Sequence, residues 1–205
     1  MQLLTLDVRK SCIAISGLGS HPFGSWKERG PDTNFMWLRD SLHKDILCIK
    51  AIIYGYDTEI VESESFQTID DLALSFITRL RMIKRPSRSM KPLILFAHSL
   101  GGIVLKRAMT MMANGGEVES ALLRSVRLVF FFGVPSRGMF TSHLLSMVES
   151  QPNKTLINSL SPDSEFLSSL DESFSGVALH RDTRLISAYE TQKSRTTQVN
   201  FPSSK

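Results

Sequence analysis

Two cysteines in 205 residues, Cys12 and Cys48, are too few for a disulfide framework and are not spaced as zinc ligands. Each lies in or beside an apolar run, so both are expected as buried free thiols. Long apolar stretches are lacking too. No uncharged run approaches the roughly 20 residues that a membrane span requires. The opening MQLLTLDVRKS has no basic segment leading into an apolar core, which argues against a secretory signal. A cytoplasmic location is therefore expected. Net charge is only +4, with basic residues scattered apart from RLRMIKRPSR at 79–88. That cluster suits the solvated end of a helix, where the dipole favours cations. No nucleic-acid partner is expected, and contact with anionic lipid is the other reading of the cluster. Gly17 and Gly19 are too little for a phosphate-binding fingerprint, and neither a cofactor nor a metal is expected.

What is present is an alternation of apolar strand-like runs with helical patterns, which predicts an α/β fold. Its mostly parallel sheet would be covered by helices on both faces. Strands are expected at 12–15, 46–54, 93–97, 126–132 and, more weakly, 184–189. The run at 126–132, apolar throughout, reads as central. Helices are expected over 34–43, with Phe35, Leu38 and Leu42 on one face, and over 66–84, with Ile69, Leu72, Phe76 and Leu80 in step. A third spans 100–113 and is stopped by Asn114-Gly115-Gly116. Residues 141–174, broken by Pro152 and Pro162, read as short helices forming a cap. The hydrolase-type domain is placed at 1–191, and the polar stretch 192–205 is read as a disordered tail.

The chemistry concentrates at LILFAHSLGG, residues 93–102. A strand that turns into a helix at a serine flanked by tiny residues is a nucleophile elbow, here with Ala97 in the first glycine position and Gly101 in the second. Ser99 is the candidate nucleophile. His98, Gly101 and Gly102 complete the turn. In parallel sheets the site lies beyond the carboxyl ends of the strands. There the loop 16–20, with Gly17 and Gly19, can offer the Leu18 amide as one oxyanion donor, and the Leu100 amide as the other. Glu190 stands where the acid belongs, after the fifth strand. The base is harder to find. His21 and His43 precede the nucleophile, His98 should point away from it, and His180 falls before the last strand. His143 follows the fourth strand and is the one placed to come near, though from an unusual direction.

These motifs occur in one order: ISGLGSHP at 15–22, Trp26, WLRD at 37–40, YGYD at 54–57, AHSLGG at 97–102, FFGVPSRG at 131–138 and ISAYET at 186–191. Together they resemble the α/β-hydrolases of the serine active site-containing protein family, which also occur as N-terminal domains of fungal NACHT, ankyrin and tetratricopeptide proteins. The resemblance covers nearly the whole chain. It implies a lipase-like serine esterase, an ester or lipid-like substrate, peripheral membrane contact, and a mitochondrial or endoplasmic-reticulum association. It also implies Ser99 as nucleophile and Glu190 as acid. Ser16, Ser20 and Ser136 depart from its pattern. Members of the family continue past the YET strand with one more strand and a late histidine. The expectation is that both are missing from this polypeptide, leaving a sheet edge unprotected and turnover negligible. A non-catalytic signalling module is the alternative reading.

Overall fold

The computed structural model describes residues 10–28, 30, 34–83, 91–179 and 182–189. Among them runs one parallel sheet of five strands: β1 (Lys10–Ile15), β2 (Ile49–Tyr54), β3 (Leu93–His98), β4 (Val126–Phe132) and β5 (Arg184–Ala188). Their spatial order is β2-β1-β3-β4-β5. β3 is therefore central, while the apolar β4 is interior but one place off centre. Every neighbour pair is parallel, so all carboxyl ends open on one side.

Period-two alternation sends the strand residues to two unequal layers. Ile13, Ile15, Leu93, Leu95, Ala97, Val129 and Phe131 enter the larger core. Above them lie α3 (Ile69–Ile83), α4 (Leu100–Ala113), α5 (Glu117–Ser125) and α8 (Glu165–Leu179). α3 begins where it does because Thr68 and Asp71 form a reciprocal cap. The Asp71 carboxylate accepts from the Thr68 amide at 2.9 Å, and the Thr68 hydroxyl accepts from the Asp71 amide at 3.2 Å. Phe66, ahead of that cap, is 82% exposed rather than helical. The expected stripe Ile69, Leu72, Phe76 and Leu80 is buried.

The opposite layer gathers Cys12, Ala14, Ile94 and Phe96 under Trp26, Met36, Leu38 and Leu42. The expected helix over 34–43 is two single turns, α1 (Trp37–Asp40) and α2 (Leu42–Asp45). The Asp40 carboxylate turns back to accept the Met36 amide at 2.8 Å, and Ser41 leaves helical geometry at φ −121°. Phe35 falls outside and is exposed. Paired with Arg39, Asp40 is held at about 2, below the usual carboxylate range. β2 starts at Ile49 rather than residue 46, because Cys48 takes a left-handed φ of 59°. Cys12 is buried as expected, but Cys48 is exposed.

Residues 117–125, for which the sequence offered no element, form α5. The cap segment resolves into α6 (Ser142–Met147), α7 (Lys154–Asn158) and α8. α8 is not a cap: Leu167, Leu170 and Phe174 enter the main core. The short helices rest on the loop after β2, where the Asn153 amide donates to the carbonyls of Glu59 and Ile60 at 3.2 and 2.9 Å. The expected basic cluster is described only through Ile83. Arg79 and Arg81 are solvated in the last turns of α3, and Arg81 pairs with Glu119. No helix among the described residues is long and apolar enough to cross a membrane.

Candidate active site

Ser99 stands between β3 and α4 with φ 51° and ψ −125°. A non-glycine residue held there carries strain of about 1–3 kcal/mol. Two main-chain bonds over-determine the turn. The Ser99 amide donates to the Phe132 carbonyl at 3.0 Å, and the Gly102 amide donates to the Ser99 carbonyl at 2.9 Å.

Small residues are required on every side. A Cβ on Gly101 would come within 2.8 Å of the Ile15 carbonyl and closer still to that of Ser16. One on Gly102 would enter the Val134 side chain. Ala97 is fully buried, in register with Ile15 on one side and Phe131 on the other. Gly17 brings the first loop against the serine, since a Cβ there would lie 2.8 Å from that of Ser99 and 3.0 Å from His98 Nδ1. The His98 ring thus faces the glycine loop.

That loop is held from the segment after β2. The Tyr56 hydroxyl donates to the Ser16 carbonyl at 2.8 Å, and burial pushes the Tyr56 phenol well up from its ordinary value. The Gly19 amide, at φ 62°, donates to the Thr58 carbonyl at 2.7 Å. The Thr58 hydroxyl donates to the Ser20 carbonyl at 3.0 Å. Among the described residues the Leu18 amide makes no main-chain hydrogen bond. The Leu100 amide opens α4, where the first four N–H groups have no partner within the helix. Both expected donors therefore belong to backbone beside Ser99 that is not committed to the ladder or the helix. Tyr56 and Thr58 were not assigned this role from sequence, although the YGYD motif marks their segment.

His21, His43 and His143 make no hydrogen bond to the Ser99 hydroxyl among the described residues. His21 is exposed, its Nδ1 accepting from the Phe23 amide at 3.2 Å. His43 on α2 and His143 on α6 are also exposed. Glu190, His180 and the stretch 192–205 lie outside the described residues.

A second polar group lies beside the elbow. Lys106 of α4, only 9% exposed, donates to the Ser136 hydroxyl at 2.9 Å and to the Asp171 carboxylate at 3.0 Å. Its signal in the sequence was a lysine in step with an apolar helical face, three residues from Ile103 and from Met109.

No protein-family model matches the chain. Among curated proteins it is similar to Protein SERAC1 of Danio rerio, 23% identical over 202 residues, with 90% of this chain and 30% of the relative covered. SERAC1 of Bos taurus is 20% identical over 200 residues, with the same coverage. The chain therefore spans about a third of these relatives' length. Among solved structures, phospholipase PlaB from Legionella pneumophila superposes with a TM-score of 0.56 at 16% identity, over 87% of this chain and 38% of the other. The lipase BlEst2 from Bacillus licheniformis gives 0.55 at 16% identity, over 86% and 63%. The chain shares its fold, a parallel sheet covered by helices on both faces, with these two structures.

Proposed function

We propose that this chain is a serine acyl hydrolase domain for carboxylic esters of lipid character. Ser99 is the nucleophile. Its hydroxyl oxygen bonds to the ester carbonyl carbon, the alcohol departs, and water then releases the acid from the acyl-serine. The Leu18 and Leu100 amides hold the oxyanion, a role in which one donor is worth about 3 kcal/mol in the transition state. Glu190 is the acid that orients the base. The reaction needs a base to take the serine's proton, and without one the hydroxyl is a weak nucleophile.

The observation that carries the reading is the positive φ of Ser99, kept against its strain and seated beside Gly17. Lipid esters are the proposed substrates because the neighbouring folds are named as a phospholipase and a lipase.

A fluorophosphonate probe tests this directly. The folded wild-type chain is expected to label at one site, and Ser99→Ala is expected not to. Equal labelling of both would sink Ser99 as the nucleophile. A folded chain that never labels would favour a second reading, a non-catalytic interaction module. One observation favours that module: His21, His43 and His143 are all exposed, away from the buried backbone of the elbow. Its origin in a NACHT-type receptor draws no support from the relatives found.

A further inference from the structure

At the carboxyl ends of β4 and β5 a pocket of about 250 Å³ opens, lined by Lys106, Phe131, Val134, Ser136, Ser187 and Tyr189 among others. Its floor is closed where the Gly133 amide donates to the Ala188 carbonyl at 2.9 Å. It shares a wall with the elbow. Phe132, next in the chain to two lining residues, holds the Ser99 amide, and Val134 fills the space over Gly102. Lys106 is seven residues beyond Ser99 on α4, about 10 Å along the helix axis.

The charge in this pocket is placed unevenly. The Lys106 side chain is 11% exposed, whereas that of its partner Asp171 is 48% exposed. The ammonium is fixed between the Phe174 ring, 5.1 Å to its centroid, and the Phe131 ring at 5.9 Å. It cannot leave without exposing those rings. Asp171 can return to water, because an exposed carboxylate has little to lose by release. An ammonium has three donors, and two are used here. The cation therefore has a donor left, and its anionic partner can be exchanged. The hydroxyls of Ser136 and Ser187 add donors on the same wall, and Phe131 and Val134 add apolar surface. Pockets for whole drug-sized ligands start at roughly 300 Å³, so the space suits a headgroup rather than an acyl chain.

We propose that this pocket is an oxyanion subsite in which Lys106 binds the carboxylate or phosphate of an anionic headgroup carried by the ester or released from it. The connection to an ester rests on the hydrolase reading; the binding itself does not need Ser99. Calorimetric titration with glycerol 3-phosphate, inorganic phosphate and butyrate tests it on the full chain. Wild type and Ser99→Ala are expected to bind at least one of them alike. Lys106→Met should weaken that binding at least about tenfold, because a charge-assisted bond is lost. Asp171→Asn should tighten it several-fold by removing the competing carboxylate. Tighter binding of glycerol 3-phosphate than of phosphate supports an esterified headgroup, and equal binding supports a free anion as the ligand. No binding by wild type overturns the proposal, as does Asp171→Asn binding more weakly than wild type. If Lys106→Met does not fold, the direction of the Asp171→Asn change still decides. A chain that binds the anion but never reacts with the fluorophosphonate keeps the subsite and loses the hydrolase reading.

Discussion

One face of the sheet carries α3, α4, α5 and α8. The other carries two four-residue helices, α1 and α2, and a string of aromatic rings. On the first face Phe76, Leu95, Leu100, Ile103 and Leu105 are at most 1% exposed. On the second, Trp26 meets Trp37 edge-on at 6.1 Å and Trp37 meets Phe96 at 5.0 Å. Phe130 stacks on Phe96 at 5.2 Å, yet Leu128, Phe130 and Phe132 are only half-buried. The difference explains where the candidate site sits. A strained serine keeps its conformation only when the surrounding structure leaves it no alternative. Ser99 opens α4, eleven of whose fourteen residues are buried. From the thinner face, the Phe132 carbonyl reaches the elbow and holds the Ser99 amide.

The comparison breaks if the two faces respond alike to truncation. Phe76→Ala removes a ring that is 1% exposed and should cost about 3–5 kcal/mol in urea unfolding. Phe130→Ala removes a half-buried ring and should cost about 1–2 kcal/mol, since only part of its apolar area leaves water. Equal losses would mean that the second face bears as much of the stability as the first.

A smaller change sharpens the connection between packing and site. Gly101→Ala puts a methyl group against the Ile15 and Ser16 carbonyls, which are main-chain atoms of β1 and its loop and cannot step aside. Overpacking of this kind costs about 1–3 kcal/mol. Fluorophosphonate labelling of Ser99 should fall further than that loss of stability would account for. Labelling that stays at the wild-type rate would show that the elbow does not depend on this close approach.

How much of this could be read in advance differs between the faces for the same physical reason. The elbow was legible because its requirements are steric and local: a strand, tiny residues at 97 and 101, and a helix at once afterwards. β4 and α4 were legible to the residue because both are long and nearly all apolar. The 34–43 segment was misjudged as one helix because its apolar spacing fits a helix, and nothing in periodicity shows the Asp40 side chain competing for the Met36 amide. α5 went unread because only Leu122 and Leu123 of its apolar residues are buried, too few for a stripe. Cys48 is adjacent to an apolar strand, and its exposure follows from a left-handed turn that the residue type does not announce. Of the candidate site, Ser99 and the Leu18 and Leu100 amides could be proposed from chain order. Tyr56, Thr58 and the Lys106 pocket depend on which loops meet in space, and sequence spacing does not carry that information. Glu190 lies outside the described residues.

The smallest effect is also a probe of the thin face. Cys12 is fully buried there, in register with Ala51 and Ile94, and burial pushes its thiol from the usual 9.0 to about 11. The folded chain keeps this proton over a range in which the unfolded chain loses it. Its contribution is therefore present in full below pH 9 and is lost as pH rises towards 11. Cys12→Ala has no such proton. The stability difference between wild type and Cys12→Ala should shift against wild type by about 1 kcal/mol between pH 8 and pH 10. Cys48, exposed on the turn before β2, should react with a thiol reagent at once in the folded chain, and Cys12 only as the thin face opens. If both thiols react at one rate, Trp26, Trp37 and Phe96 do not close that layer, and the asymmetry between the two faces is deeper than their packing suggests.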